Sequence, residues 1–166
     1  MVETATEVAI RPVQELDIED IAAIDEKLGG RYRPDVWDKR VFYYLRRDPE
    51  GSFVATANGR VVGFMLGEVR SGEFGFEEPT GWVEVLGVDP GVQGGGVGRR
   101  LATAMLDHFR AQGAHRVRTL VDERMPEIEK FFRSLGFEAA PVKALALELA
   151  AGDAATTTTT PSAVGC

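Results

Sequence analysis

The residues with the strongest chemical signature are Gly91-Val92-Gln93-Gly94-Gly95-Gly96-Val97-Gly98-Arg99-Arg100, a glycine-rich run that follows the apolar stretch Trp82 to Val88. A strand that enters such a turn and then opens a helix brings unpaired backbone N–H groups together at the positive end of the helix dipole. That arrangement suits a phosphate. Arg99 and Arg100 behind it add charged donors of the kind that hold a diphosphate. Two common phosphate loops fail on their residues. A P-loop needs Lys and a hydroxyl residue after its last glycine, where this chain has Val97-Gly98. A dinucleotide fingerprint begun at Gly94 needs Gly where Arg99 stands. A turn with no ligand is the plain alternative. Five glycines in the eight residues from Gly91 to Gly98 count against it, since each costs about 0.5–1 kcal/mol in ordered backbone.

Glu84 is the second feature. It is the one carboxylate inside the strand Trp82 to Val88, and simple alternation puts Trp82, Glu84, Leu86 and Val88 on a single face. A carboxylate in apolar surroundings is costly to bury and gains basicity, as a proton acceptor requires. A solvated strand face, or a partner arginine, is the alternative. Glu73, Glu77 and Glu78 in the loop before Trp82 would attract a cationic acceptor, or would form an acidic solvated loop. Trp37, Tyr32 and Arg33 would line an acceptor pocket, although helix packing accounts for Trp37 equally well. His108 and His115 are the two histidines, with no ligand motif between them, so no metal is implied.

The elements that position these groups read clearly. Val8 to Val13 is a strand. Asp17 caps a helix carrying Ile18, Ile21, Ala22, Ile24 and Leu28, stopped by Gly29-Gly30. Pro34 or Asp35 opens a second helix that ends at Asp48-Pro49. Phe53 to Ala57 and Val61 to Leu66 flank Asn58-Gly59, a hairpin signature. After the Trp82 strand come a helix with a stripe of Val97, Leu101, Ala104, Met105 and Phe109, a strand over His115 to Val121, a helix from Pro126 to Leu135, and a strand over Phe137 to Leu149.

Composition narrows the class. The 166 residues are 44% hydrophobic and 27% charged, with 19 Lys and Arg against 26 Asp and Glu for a net charge of −7. One domain with its own core is expected, and a nucleic-acid binder would carry the opposite sign. One cysteine, Cys166, builds no disulfide within the chain and suits a reducing cytoplasm. No segment has the length or character of a membrane span or a secretory signal. Residues 150–166, with five consecutive threonines, read as a disordered tail after a domain over 1–149.

Gln93-Gly94-Gly95-Gly96-Val97-Gly98 resembles the Gln/Arg-x-x-Gly-x-Gly/Ala loop of the GCN5-related N-acetyltransferases, the GNAT superfamily. Leu86-Gly87-Val88-Asp89-Pro90 is similar to that family's preceding strand end, and Phe131 to Phe137 to its later helix with a Gly-Phe ending. The order of elements agrees from Val8 to Leu149. The resemblance implies an α/β fold with a central mixed sheet of about six to seven strands flanked by helices. It implies an N-acetyltransferase that uses acetyl-CoA and no metal. Leu86, Gly87 and Val88 would pair with the pantetheine arm, while Gln93, Gly94, Gly95, Gly96, Val97, Gly98 and Arg99 would cradle the pyrophosphate. Glu84 would act on the amine, since family members carry titratable side chains at positions matching Trp82 or Glu84.

The chain departs from the family pattern in two places. Phe132 stands in the cofactor region where many members have a tyrosine acid, and Met125 where many have asparagine. Water, Tyr43, Tyr44 or Ser134 would then serve the leaving thiolate. The acceptor would be an amine on a small molecule, cationic ones included, or on a protein, and the enzyme a monomer or homodimer. A non-catalytic acyl-CoA-binding module and an acyltransferase for another acyl group or acceptor are the rival readings.

Overall fold

In the computed structural model, which describes residues 7–75 and 78–150, five strands form one mixed sheet in the order of the chain. They are β1 (Ala9–Pro12), β2 (Phe53–Ala57), β3 (Arg60–Arg70), β4 (Thr80–Val88) and β5 (Arg116–Thr119). The first four are antiparallel and β5 runs parallel to β4. Four helices cover the sheet: α1 (Ile18–Gly29), α2 (Pro34–Arg47), α3 (Val97–Ala111) and α4 (Pro126–Ser134). None of the described helices is long and apolar enough to cross a membrane.

Each helix is placed by an apolar stripe. Trp37, Val41 and Tyr44 on α2 join Ile21, Ala22 and Ile24 of α1 over Val54, Phe64, Leu66 and Val85 on one face of the sheet. On the other face Val97, Leu101, Met105 and Phe109 of α3 pack over Ala55, Met65, Val83 and Leu86. Side chains of this size contribute roughly 1.5–3 kcal/mol each when buried. Helix ends agree with the sequence signals. Gly30, at φ 77°, stops α1, and prolines open α2 and α4. Asn58 and Gly59 take φ of 52° and 75°, the two left-handed residues of a type I′ hairpin. Asp17 stands at the head of α1 but does not cap it with its side chain. Its carboxylate accepts from the Gln14 N–H at 2.8 Å and pairs with Arg11 at 2.7 Å.

Three expectations need correction. Among the described residues the sheet has five strands where six to seven were expected, because Phe137 to Leu149 forms none. Phe137 docks on Phe132, Pro141 breaks the run, and β5 is four residues long, so no ladder is offered to the rest. Leu145, Leu147 and Leu149 are consequently 92%, 83% and 82% exposed. Second, β3 extends past Leu66 to Arg70, which brings Glu68 and Arg70 into the sheet. Third, β4 does not alternate. Leu66 pairs with Val85 but Gly67 pairs with Val83, so Glu84 is an extra residue, a β-bulge. Val85 therefore faces α1 and α2 while Leu86 faces α3, and Glu84 does not share a face with Leu86. The expected tail beyond residue 150 lies outside the described residues.

Gly67 is what lets the bulge close. A Cβ there would lie 2.3 Å from the Trp82 carbonyl oxygen, a backbone atom that cannot swing aside. Gly67→Ala is expected to lower stability by about 3 kcal/mol, the upper range for overpacking. The midpoint of urea unfolding measures it, and an unchanged midpoint would mean that the two strands do not approach this closely.

Candidate active site

Parallel pairing between β4 and β5 runs from Thr80–Arg116 to Val83–Thr119 and stops. Beyond it, β4 continues to Val88 bonded to β3 alone, so among the described residues the other edge of Glu84 to Val88 has no strand partner. That edge leads into the glycine loop. Asp89 fixes the turn, its carboxylate accepting from Lys27 Nζ at 2.8 Å and the Gly91 N–H at 2.9 Å. Both contacts hold its pKa below the ordinary value, Lys27 contributing more. Gln93 Nε2 donates back to the Val88 carbonyl at 3.1 Å. Gly94 and Gly96 then take φ of 87° and 79°, conformations that other residues adopt with strain. Among the described residues no side chain caps α3, whose first N–H groups have no partner within the helix.

Leu86, Gly87, Val88, Gln93, Gly94, Gly96, Val97, Gly98 and Arg99 line one cavity of about 520 Å³. Its far wall was not foreseen: Leu28 from α1, and Glu127, Ile128 and Phe131 from α4, with Met125 and Ser134 beside them. Arg99 donates to the carbonyl and hydroxyl oxygens of Ser134 at 3.2 and 3.3 Å, which ties α3 to α4 across the mouth. Three expected residues lie elsewhere. Gly95 lines a neighbouring hollow with Lys27 and Asp89. Arg100 donates to the Val8 carbonyl and is no part of the cavity. Phe132 is 2% exposed, with its ring 5.3 Å from Phe131 and 5.0 Å from Phe137, and is a core residue here.

On the α1 and α2 face, a polar cluster surrounds Glu84. Glu68, 2% exposed, accepts from Tyr43 Oη at 2.9 Å, Arg47 Nε at 2.8 Å and Arg70 Nε at 2.8 Å. Burial alone would raise its pKa, but the bonds from Arg70, Tyr43 and Arg47 bring it below the usual value of 4.5. Its contribution to stability is therefore complete above that pH and is lost as pH falls through the lowered value. Arg70 also contacts Glu84, and its guanidinium lies 5.3 Å over the Trp82 ring. Glu84 is thus held by an arginine.

The groups expected to aid the leaving thiolate or line the acceptor pocket divide accordingly. Tyr43 is committed to Glu68, and burial, with Glu84 nearby, pushes the Tyr44 hydroxyl well above its ordinary range. Ser134 is the one of the three that lines the cavity. Trp37 is fully buried, its Nε1 donating to Asp25 at 2.8 Å, and Arg33 pairs with the same carboxylate. Glu78 is exposed, and the side chains of Glu73 and Glu77 lie outside the described residues.

Residues 17–137 match the family model described as the Acetyltransferase (GNAT) family. A segment of 95 residues is 44% identical to a mycothiol acetyltransferase of Thermobifida fusca, covering 55% of this chain and 29% of that protein. The homologous enzyme of Thermobispora bispora is 41% identical over 90 residues, 54% of this chain and 30% of its own length. The chain thus spans under a third of these relatives. Among solved structures, the aminoglycoside N-acetyltransferase AAC(6')-Iy in complex with CoA superposes with a TM-score of 0.76 at 20% identity, over 89% of this chain and 99% of that one. Ard1 from Thermoplasma volcanium does so with a TM-score of 0.68 at 28% identity, over 80% and 84%.

Gly96→Asp tests the loop directly, because it sets a carboxylate at the uncapped end of α3. Acetyl-CoA affinity is expected to fall by about 30-fold or more, as ~2 kcal/mol of like-charge repulsion implies. Titration calorimetry on the folded variant reads this. Unchanged affinity would remove the loop from the binding site.

Proposed function

Because the chain belongs to the GNAT acetyltransferase family, we propose that it moves the acetyl group of acetyl-CoA to the primary amine of a small molecule. One observation carries this reading: the unpaired edge of β4 from Glu84 to Val88 runs without interruption into the uncapped, glycine-lined start of α3. An extended arm bearing amides can add to such an edge as a further strand would. A diphosphate can accept from the N–H groups of Val97, Gly98 and Arg99. Open space at the Cβ positions of Gly94 and Gly96 leaves the backbone accessible to it.

Acetyl-CoA supplies an acyl carbon activated as a thioester. The chain supplies position and charge. A free backbone N–H on the β4 edge near Leu86 to Val88 faces the oxygen on which charge develops. Glu84 at the bulge takes a proton from the amine, directly or through one water, as nitrogen bonds to the acyl carbon and the carbon–sulfur bond breaks. Phe132 carries no hydroxyl, so the thiolate leaves unassisted by it and takes its proton from solvent, which a thiol of pKa about 8.5 permits. The names of the relatives, mycothiol acetyltransferase and aminoglycoside N-acetyltransferase, support a small-molecule acceptor. A single cysteine in the chain supports a cytoplasmic setting.

Glu84→Gln is expected to keep acetyl-CoA binding and to lower the amine-dependent rate by ~10²-fold, with the acidic limb of the rate profile displaced. Release of CoA thiol over a mixed amine panel measures it. A fully active variant with an unchanged profile would remove Glu84 from proton transfer. Binding of acetyl-CoA with no turnover on any amine would favour a non-catalytic acyl-CoA-binding module instead.

A further inference from the structure

Two nitrogen donors outside the acetyl-CoA cavity have nothing to donate to. Among the described residues, Trp82 Nε1 and Arg118 Nε are both buried without a hydrogen-bond partner. Trp82 and Arg118 are register partners across β4 and β5. Side chains at such a pair leave the same face of the sheet from backbones about 4.8 Å apart. Both residues line one cavity of about 400 Å³, beside the point where the strands separate. Buried donors are ordinarily satisfied, and two orphans on one rung mark a place for an acceptor atom.

The surroundings hold these donors still. The Trp82 ring lies under the Arg70 guanidinium, which Glu68 and Glu84 fix in turn. Arg118 sits 5.1 Å over the Phe74 ring, and Phe74 keeps a left-handed φ of 56°, a costly conformation for a bulky residue. Arg118 forms no ion pair among the described residues. A hydroxyl oxygen would satisfy one donor and leave that charge uncompensated. One carboxylate has two oxygens, satisfies both donors and neutralises the guanidinium. The remaining rim has the opposite sign, with Glu123 and Glu138 on it, while Glu129 is already paired with Arg133.

We propose that this cavity is the acceptor subsite and that the acceptor is a zwitterionic amine, an amino acid or ω-amino acid whose carboxylate accepts from Trp82 Nε1 and Arg118 Nε. The acetyl-transfer reading above is its premise. Glu84 follows Trp82 by two residues, about 7 Å along the strand, so an amine on a short chain from the bound carboxylate comes to the bulge. The acidic rim draws the ammonium end in, and Arg70 and Arg118 turn away polycations that lack a carboxylate.

The test uses matched pairs: ω-amino acids of two to six carbons against the same amines without the carboxylate, assayed by CoA-thiol release. The carboxylate-bearing member is expected to be preferred by about tenfold or more in kcat/KM, the range for hydrogen bonds to a charged group. In Trp82→Phe and Arg118→Leu that ratio falls toward one, the loss appearing in acceptor KM rather than acetyl-CoA KM. Arg118→Lys keeps the charge without the Nε donor and covers a failure of Arg118→Leu to fold. Equal or better use of the decarboxylated amines, or an unchanged ratio in the variants, overturns the proposal. Calorimetric titration of the ω-amino acids into the CoA-bound protein separates this subsite from the chemistry. Binding that Arg118→Lys abolishes upholds the subsite even where no amine is acetylated, and absence of binding to the wild type overturns it.

Discussion

Between Val83 and Val85 the fourth strand carries one residue that the third strand does not match, and the arrangement of both proposed sites depends on that extra residue. The bulge ends strict alternation, leaving Glu84 on the Arg70 side and sending Leu86 to the opposite face. It also falls where pairing with β5 stops, so the strand that begins as an interior member of the sheet finishes with a bare edge. Gly67 permits it from across the ladder, since its missing side chain admits the Trp82 carbonyl. Ser52 supports the same place, its hydroxyl accepting from the Gly67 N–H at 3.1 Å. Backbone geometry, more than any reactive side chain, is what this fold offers to the acetyl transfer proposed for it.

Charge is distributed to suit. The chain as a whole is acidic, yet the cluster on the α1 and α2 face pairs Glu68 and Glu84 with Arg47 and Arg70, so its carboxylates are compensated before any acceptor arrives. A buried carboxylate with three donors is rigid as well as satisfied. Through Arg70 that rigidity reaches the Trp82 ring. The cavity proposed for acetyl-CoA has a different character: backbone N–H groups and one arginine, Arg99, with apolar walls from Leu28, Ile128 and Phe131.

Much of this is legible in the sequence, for identifiable reasons. Helices α1 to α4 are periodic and bounded by glycine or proline, and the Asn58-Gly59 turn dictates its own backbone. The glycine loop is local, so the run of strand, loop and helix that forms it can be read from adjacency. The misses are non-local. Whether Phe137 to Leu149 becomes a strand depends on what β5 offers it, and an apolar alternation cannot report a missing partner. The bulge at Glu84 arises from register against β3, which no property of β4 alone encodes. Glu68 and Arg70 carried a usable signal, since Gly67-Glu68-Val69-Arg70 continues the strand pattern past Leu66. The resemblance points Phe132 toward the cofactor, while its own helical stripe places it in the core, where it lies.

The central claim is that acetyl-CoA occupies the bare edge of β4 and the start of α3, and amide hydrogen exchange tests it most directly. Comparison of the protein with and without acetyl-CoA should show new protection concentrated in residues 84–88 and 93–99, because the amides on the β4 edge away from β3 and the first N–H groups of α3 gain an acceptor. Protection confined to β5 and residues 137–142, with residues 84–88 and 93–99 exchanging as before, would contradict the account.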